Sequence, residues 1–142
     1  MDTLFLDANI WFTAARSPQG ESGYIVQLAK QGEIKLVISG QVLSEIERNV
    51  RIKESSSTLL RHFENLSLTK PKLILMSSKE THKYIGLINT KDAPVIVGAI
   101  QSKSDYLVTL DKKHFFTSKI ENTKLPIRIV TPEIYLKTLF KQ

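Results

Sequence analysis

A chain of 142 residues, 42% hydrophobic and 24% charged, can bury the core of one domain and leaves little room for a second. It has no cysteine, which excludes disulfides and thiolate metal sites and suits a reducing cytoplasm. Its 20 Lys and Arg against 14 Asp and Glu leave a net charge of +6, which favours a polyanionic partner, nucleic acid first.

Taken in chain order, the opening segment MDTLFLDANIWF is not a signal peptide, since it lacks a basic start and Asp7 interrupts its apolar stretch. No apolar run approaches the roughly 18 residues of a membrane helix, so the expectation is a soluble cytoplasmic protein without a membrane partner. Short continuous apolar runs recur at Leu4-Phe5-Leu6, Leu36-Val37-Ile38, Leu73-Ile74-Leu75, Tyr106-Leu107-Val108 and Ile127 to Val130. Continuous runs, as opposed to alternating ones, predict strands covered on both faces, as in a parallel sheet.

Helical spacing fills the intervals between these runs. Ile25, Leu28 and Ala29 follow the first strand; Val42, Leu43, Ile46 and Val50 follow the second; Val95, Ile96, Ala99 and Ile100 precede the fourth. Ser39-Gly40 closes the second strand, and KESSST, from Lys53 to Thr58, predicts a break or joint between two helices. Thr131 and Pro132 predict the start of a final helix. Alternating strands and helices imply an α/β fold, a three-layer α/β/α sandwich around a parallel sheet, in one domain spanning 1–142.

The acids fall in a pattern on this scaffold. Asp7 follows the first strand directly, and Asp111 sits three residues beyond the fourth. Ligands of open parallel sheets bind outside the carboxyl ends of the strands, where strand order reverses. If strands one and four are neighbours, these two acids meet there. Asp92 falls at the start of the helix preceding strand four, and Glu45 lies at the margin of an apolar helical stripe, with Glu47, Arg48 and Arg51 better placed to face water. Each acid also has an ordinary reading: Asp92 as a helix cap, Asp7 as turn chemistry with Asn9, Asp111 as a loop acid near lysine, Glu45 as a solvated helix residue. Asp105, near the start of strand four, is at the wrong end for this site and reads as structural.

In these segments the sequence resembles the PIN domain family. Leu4-Phe5-Leu6-Asp7-Ala8-Asn9 is similar to its opening strand, which ends in Asp-x-Asn. Val37-Ile38-Ser39-Gly40 with Val42 to Ile46 resembles its second strand and glutamate-bearing helix, and Lys91-Asp92-Ala93-Pro94-Val95 its third acidic element. Ser104 to Phe115 resembles its final strand with Thr-x-Asp and a basic-aromatic tail. In some relatives the position of Lys91 carries a further acid.

The resemblance implies a Rossmann-like sheet, a Mg²⁺ or Mn²⁺ site held by Asp7, Glu45, Asp92 and Asp111, and hydrolysis of single-stranded RNA. It further implies a toxin of a type II toxin-antitoxin pair of the VapC-like group, with a protein antitoxin as partner and a homodimer as assembly. Asn9, Ser39 and Thr109 match polar positions beside the family's site. Arg48, Lys112 and Lys113, with Arg51, Lys53 and Lys119, lie near the acids in sequence and are the candidate phosphate-binding cations.

The chemistry agrees with those residue types. A hard divalent ion takes oxygen ligands from carboxylates on several segments, and it neutralises a phosphodiester's anionic oxygens while acidifying water. Trp11 and Phe12 are expected in the core in preference to stacking a base, and His62, His82 and His114 show no zinc-ligand spacing. Two other readings stay open: a haloacid-dehalogenase-like phosphatase with Asp7 as nucleophile, for which Asn9 is a poor second acid, and an inactive PIN-like module that binds RNA or a protein partner.

Overall fold

A computed structural model describes residues 1–76, 81, 82, 88 and 92–141. Each of the five apolar runs becomes a strand: β1 (Thr3–Leu6), β2 (Lys35–Ser39), β3 (Lys72–Ile74), β4 (Tyr106–Val108) and β5 (Arg128–Val130). They form one parallel sheet in the order β3-β2-β1-β4-β5. β1 is central, with Leu4 in register with Leu36 on one side and Tyr106 on the other.

Eight helices connect the strands among the described residues: α1 (Ala8–Arg16), α2 (Glu21–Lys30), α3 (Gly40–Lys53), α4 (Ser56–Thr69), α5 (Ala93–Gln101), α6 (Lys112–Phe115), α7 (Ser118–Glu121) and α8 (Pro132–Phe140). Their starts follow from local chemistry. Asp7, Ser39, Ser55, Thr117 and Thr131 each accept a backbone N–H in the first turn of the helix they precede, which satisfies a donor the helix itself leaves unpaired. The polar KESSST stretch is the expected joint, since α3 ends at Lys53 and Ser55 caps α4.

Strand order assigns the layers. The chain moves outward from β1 through β2 to β3, then returns across the sheet to β4 and continues the other way to β5. Right-handed crossovers in opposite directions place their helices on opposite faces. On one face α1 packs against α2, α3 and α4, with α8 against α2; on the other α5 lies across β1, β2 and β4. The three-layer α/β/α sandwich is therefore the fold. No helix among the described residues is long and apolar enough to cross a membrane.

Two local expectations change. The run at Leu73 predicts a strand buried on both faces, but β3 is an edge strand with Leu73 54% exposed, and Leu75 falls outside it. Three apolar residues do not distinguish an edge from a centre, because that depends on what lies beyond the strand. In α5 the stripe widens to most of the helix: Ala93 and Val95 through Ala99 are all buried, while Pro94 and Ile100 are half-buried and Gln101 is exposed. Gly98 permits this close seat, since a Cβ there would stand 2.9 Å from the Phe5 ring and 3.0 Å from Met76 Sδ.

The helices change face between β1 and β4, which are hydrogen-bonded neighbours. Their carboxyl ends therefore form the switch point at which a parallel sheet opens a crevice.

Candidate metal centre at the carboxyl edge of the sheet

Asp7 leaves β1 and caps α1. Its backbone N–H donates to the Val108 carbonyl at 3.0 Å, which extends the β1–β4 ladder by one residue and fixes where the side chain emerges. Oδ1 accepts the Ala8 N–H at 2.8 Å, and Oδ2 accepts the Thr109 hydroxyl at 2.8 Å and the Asn9 amide at 3.3 Å. Asn9 ties the two strand ends together, because its Oδ1 accepts the Leu110 N–H at 3.1 Å. Thr109, fully buried, also accepts the Asp111 N–H at 3.1 Å. Asn9 and Thr109 thus form a frame around Asp7.

Burial governs the acidity of Asp7. Its carboxyl is pushed up to about 6, chiefly by desolvation. The Thr109 and Ala8 hydrogen bonds oppose the shift, and the charges of Glu45 and Asp92 reinforce it. A carboxylate held where its own charge is disfavoured, and repelled by two more, is a strong attractor of a cation.

The other acids reach the same place from different elements. Asp92 stands at the N-cap position of α5 without a side-chain capping bond. Asp111 caps the short α6: its Oδ1 accepts the His114 N–H at 3.1 Å, and its Oδ2 lies 2.8 Å from His114 Nδ1. Glu45 comes from α3. Asp7, Glu45, Asp92 and Asp111 all line one cleft of about 340 Å³, together with Asn9, Asn49, Lys53 and His114. A ligand atom from each of Asp92, Asp111 and His114 lies within 4.8 Å of the others. Oxygen donors from four chain segments, one with a raised pKa, suit a hard divalent cation.

The remaining candidates are placed differently. Ser39 is 1% exposed and its hydroxyl accepts the Val42 N–H at 3.2 Å, a capping role away from the cleft wall. Arg48, Lys112 and Lys113 are exposed and stand outside the lining, as do Arg51 and Lys119, whereas Lys53 lines it. Glu47 is half-buried instead of facing water. Trp11 is fully buried, as expected, while Phe12 contributes to the cleft wall. Asp105 sits at the far end of β4, where its Oδ2 accepts the Thr3 N–H at 2.8 Å, as its structural reading anticipates. Lys91 lies outside the described residues.

Three cleft residues had a weak signal or none in the sequence. Asn49 and Lys53 follow Glu45 at four and eight residues, one face of a helix, so spacing could have grouped all three. His114 had no such signal. Its three-residue offset from Asp111 acquires meaning only once Asp111 caps a helix.

Comparison with known proteins gives three findings. A family model described as PIN domain matches residues 3–113. No curated protein matches the sequence. A chain from the crystal structure of VapBC2 from Rickettsia felis, bound to a DNA fragment from their promoter, is similar in structure: the TM-score is 0.65 at 21% identity, covering 91% of this chain and 98% of that one.

Proposed function

The chain belongs to the PIN domain family, and on that premise we propose that it is a Mg²⁺- or Mn²⁺-dependent endoribonuclease hydrolysing phosphodiester bonds of single-stranded RNA. The observation that carries this reading is that Asp7, Glu45, Asp92 and Asp111 line one cleft at the switch point of the sheet. In the proposal these four carboxylates hold the cation. When bound there, a hard dication supplies a Lewis acid for a non-bridging phosphate oxygen and acidifies the attacking water.

The chain's own residues do the rest. Asn9, Thr109 and the Ala8 N–H hold Asp7 in one orientation, so its oxygens need no rearrangement when a cation arrives. Lys53 on the cleft wall is the nearest candidate to receive a phosphate, and Arg48, Lys112 and Lys113 extend a positive approach for the flanking backbone. The net charge of +6 offsets the repulsion an acidic cleft would otherwise exert on RNA.

The test is cleavage of an unstructured RNA with added Mg²⁺ or Mn²⁺. The expected result is cutting that EDTA abolishes, and that falls at least about 100-fold in both Asp7→Asn and Asp92→Asn, beyond the 10- to 100-fold that outer-shell partners cost. RNA binding without cleavage under either ion would sink the nuclease and favour the binding module.

The likeness to a VapBC2 chain supports a second part of the proposal, that the protein acts as the toxin of a toxin-antitoxin pair in the cytoplasm, with a protein antitoxin and a homodimer as its assemblies. A short neighbouring gene whose product binds the chain and blocks cleavage is the expected finding. Harmless overexpression of the active protein with no such neighbour would refute this part alone.

A further inference from the structure

We propose that His114 is a nitrogen ligand of the cation site and biases it toward a first-row transition ion, Mn²⁺ over Mg²⁺; the inference rests on the cleft being the metal site. His114 Nδ1 stands 2.8 Å from Asp111 Oδ2 and 3.9 Å from Asp92 Oδ2, on carboxylates from two different segments. Donors bound to one octahedral ion at about 2.1 Å lie about 3.0 Å apart when adjacent and about 4.2 Å apart when opposite. The 3.9 Å separation falls between these values and the 2.8 Å one, a hydrogen bond, is slightly shorter than the adjacent spacing, so a small shift of the ring would set the three atoms around a common centre.

Local structure explains how the ring gets there. The His114 N–H donates to Asp111 Oδ1, which folds the chain into the first turn of α6 and brings residue 114 back over residue 111. A purely structural histidine would need only that contact with Asp111. The ring also approaches Asp92, on α5, and lines the cleft alongside Asp7 and Glu45, which puts its nitrogen where a cation held by those acids would sit. In the ion-free structure Nδ1–H donates to Asp111 Oδ2 at 2.8 Å; a bound cation would replace that hydrogen bond, with the neutral ring's proton moved to Nε2 so that the Nδ1 lone pair faces the ion.

The consequence is selectivity. Imidazole suits iron, nickel, copper and zinc best; Mn²⁺, the weakest of the first-row ions toward nitrogen, still accepts it more readily than Mg²⁺, which favours oxygen donors and keeps its waters. A site of four carboxylates would bind Mn²⁺ and Mg²⁺ through oxygen alone. A nitrogen in the set strengthens Mn²⁺ selectively.

The experiment uses the tag-free full chain loaded with one equivalent of Mn²⁺ and examined by electron spin-echo envelope modulation. Directly coordinated ¹⁴N is expected in the native protein, altered when all three histidines carry ¹⁵N, and absent in His114→Gln. In parallel, the ratio of Mn²⁺ to Mg²⁺ affinity, read by competition, is expected to fall about tenfold or more in His114→Gln. The isotope arm needs no substitution, so it stands even where the variant folds poorly. Mn²⁺ bound with oxygen couplings only would overturn the role of His114 while leaving the site intact. Mn²⁺ binding indifferent to Asp92→Asn would overturn the site itself and this inference with it.

Discussion

At the scale of single residues, Asp7 carries the most consequence. Its carboxyl is raised from 3.8 to about 6, so the folded state holds the proton more tightly than the unfolded chain across that window. Its contribution to stability is therefore full below the unfolded value and is lost as pH rises through 6. Two pH units correspond to about 3 kcal/mol by linkage, an upper bound for one buried group. In the metal-free protein, denaturant unfolding at pH 4.5 and pH 7.5 is expected to show this loss, and Asp7→Asn is expected to abolish it. His62 moves the other way: buried, with no hydrogen-bond partner for either ring nitrogen among the described residues, it has a lowered pKa and costs stability as pH falls below its unfolded value. Comparing wild type with Asp7→Asn isolates the aspartate, since both retain His62. An equal pH slope in the two proteins would refute the account of Asp7 as a charge held against its own burial.

At the scale of elements, the site depends on helices seated closely on the sheet. α5 brings Asp92 to the cleft, and it can do so because Gly98 lets its backbone settle onto Phe5. Gly98→Ala would gain up to about 1 kcal/mol in helix propensity but force a methyl against a fully buried ring. Overpacking of this kind costs about 1–3 kcal/mol, so the expected net change is a lower unfolding midpoint. Displacing α5 also moves Asp92, so Mn²⁺ affinity is expected to fall in the same variant. Unchanged stability with unchanged metal affinity would mean that the contact is easily relieved. α3 is the complementary case: Glu45, Asn49 and Lys53 recur on one face, and that repeat was available in the sequence before any coordinates.

For the whole molecule, the question is how an acidic cleft attracts a polyanion. The answer proposed here is the surplus of cations around it, with Lys112 and Lys113 exposed directly after Asp111. Each lysine that contacts a phosphate should contribute about 0.7 to the salt dependence of single-strand binding. Replacing both with Ala in an Asp92→Asn background, which separates binding from cleavage, is expected to weaken RNA association and flatten the salt slope by about 1.4. Fluorescence anisotropy between about 50 and 200 mM salt reads both quantities. A slope that does not change would remove these lysines from the RNA path and leave Lys53 as the cation at the site.

Much of this was written locally in the chain. The five apolar runs, the caps at Asp7, Ser39 and Thr131, and the positions of Asp7 and Asp111 just beyond strand ends are all short-range patterns, set by side-chain periodicity and backbone hydrogen bonding within a few residues. Strand adjacency was not, because it depends on pairing between segments about a hundred residues apart: only the sheet order puts β1 beside β4 and lets Thr109 bind Asp7 and Leu110 bind Asn9. The exposure of β3, the burial of His62 and the approach of His114 to Asp92 were decided in the same way, by what the fold brings alongside each residue. The sequence by itself determined the kinds of element and the supply of carboxylates; the tertiary structure decided which of them line one cleft, because only the packing of distant segments sets the distances between their charges.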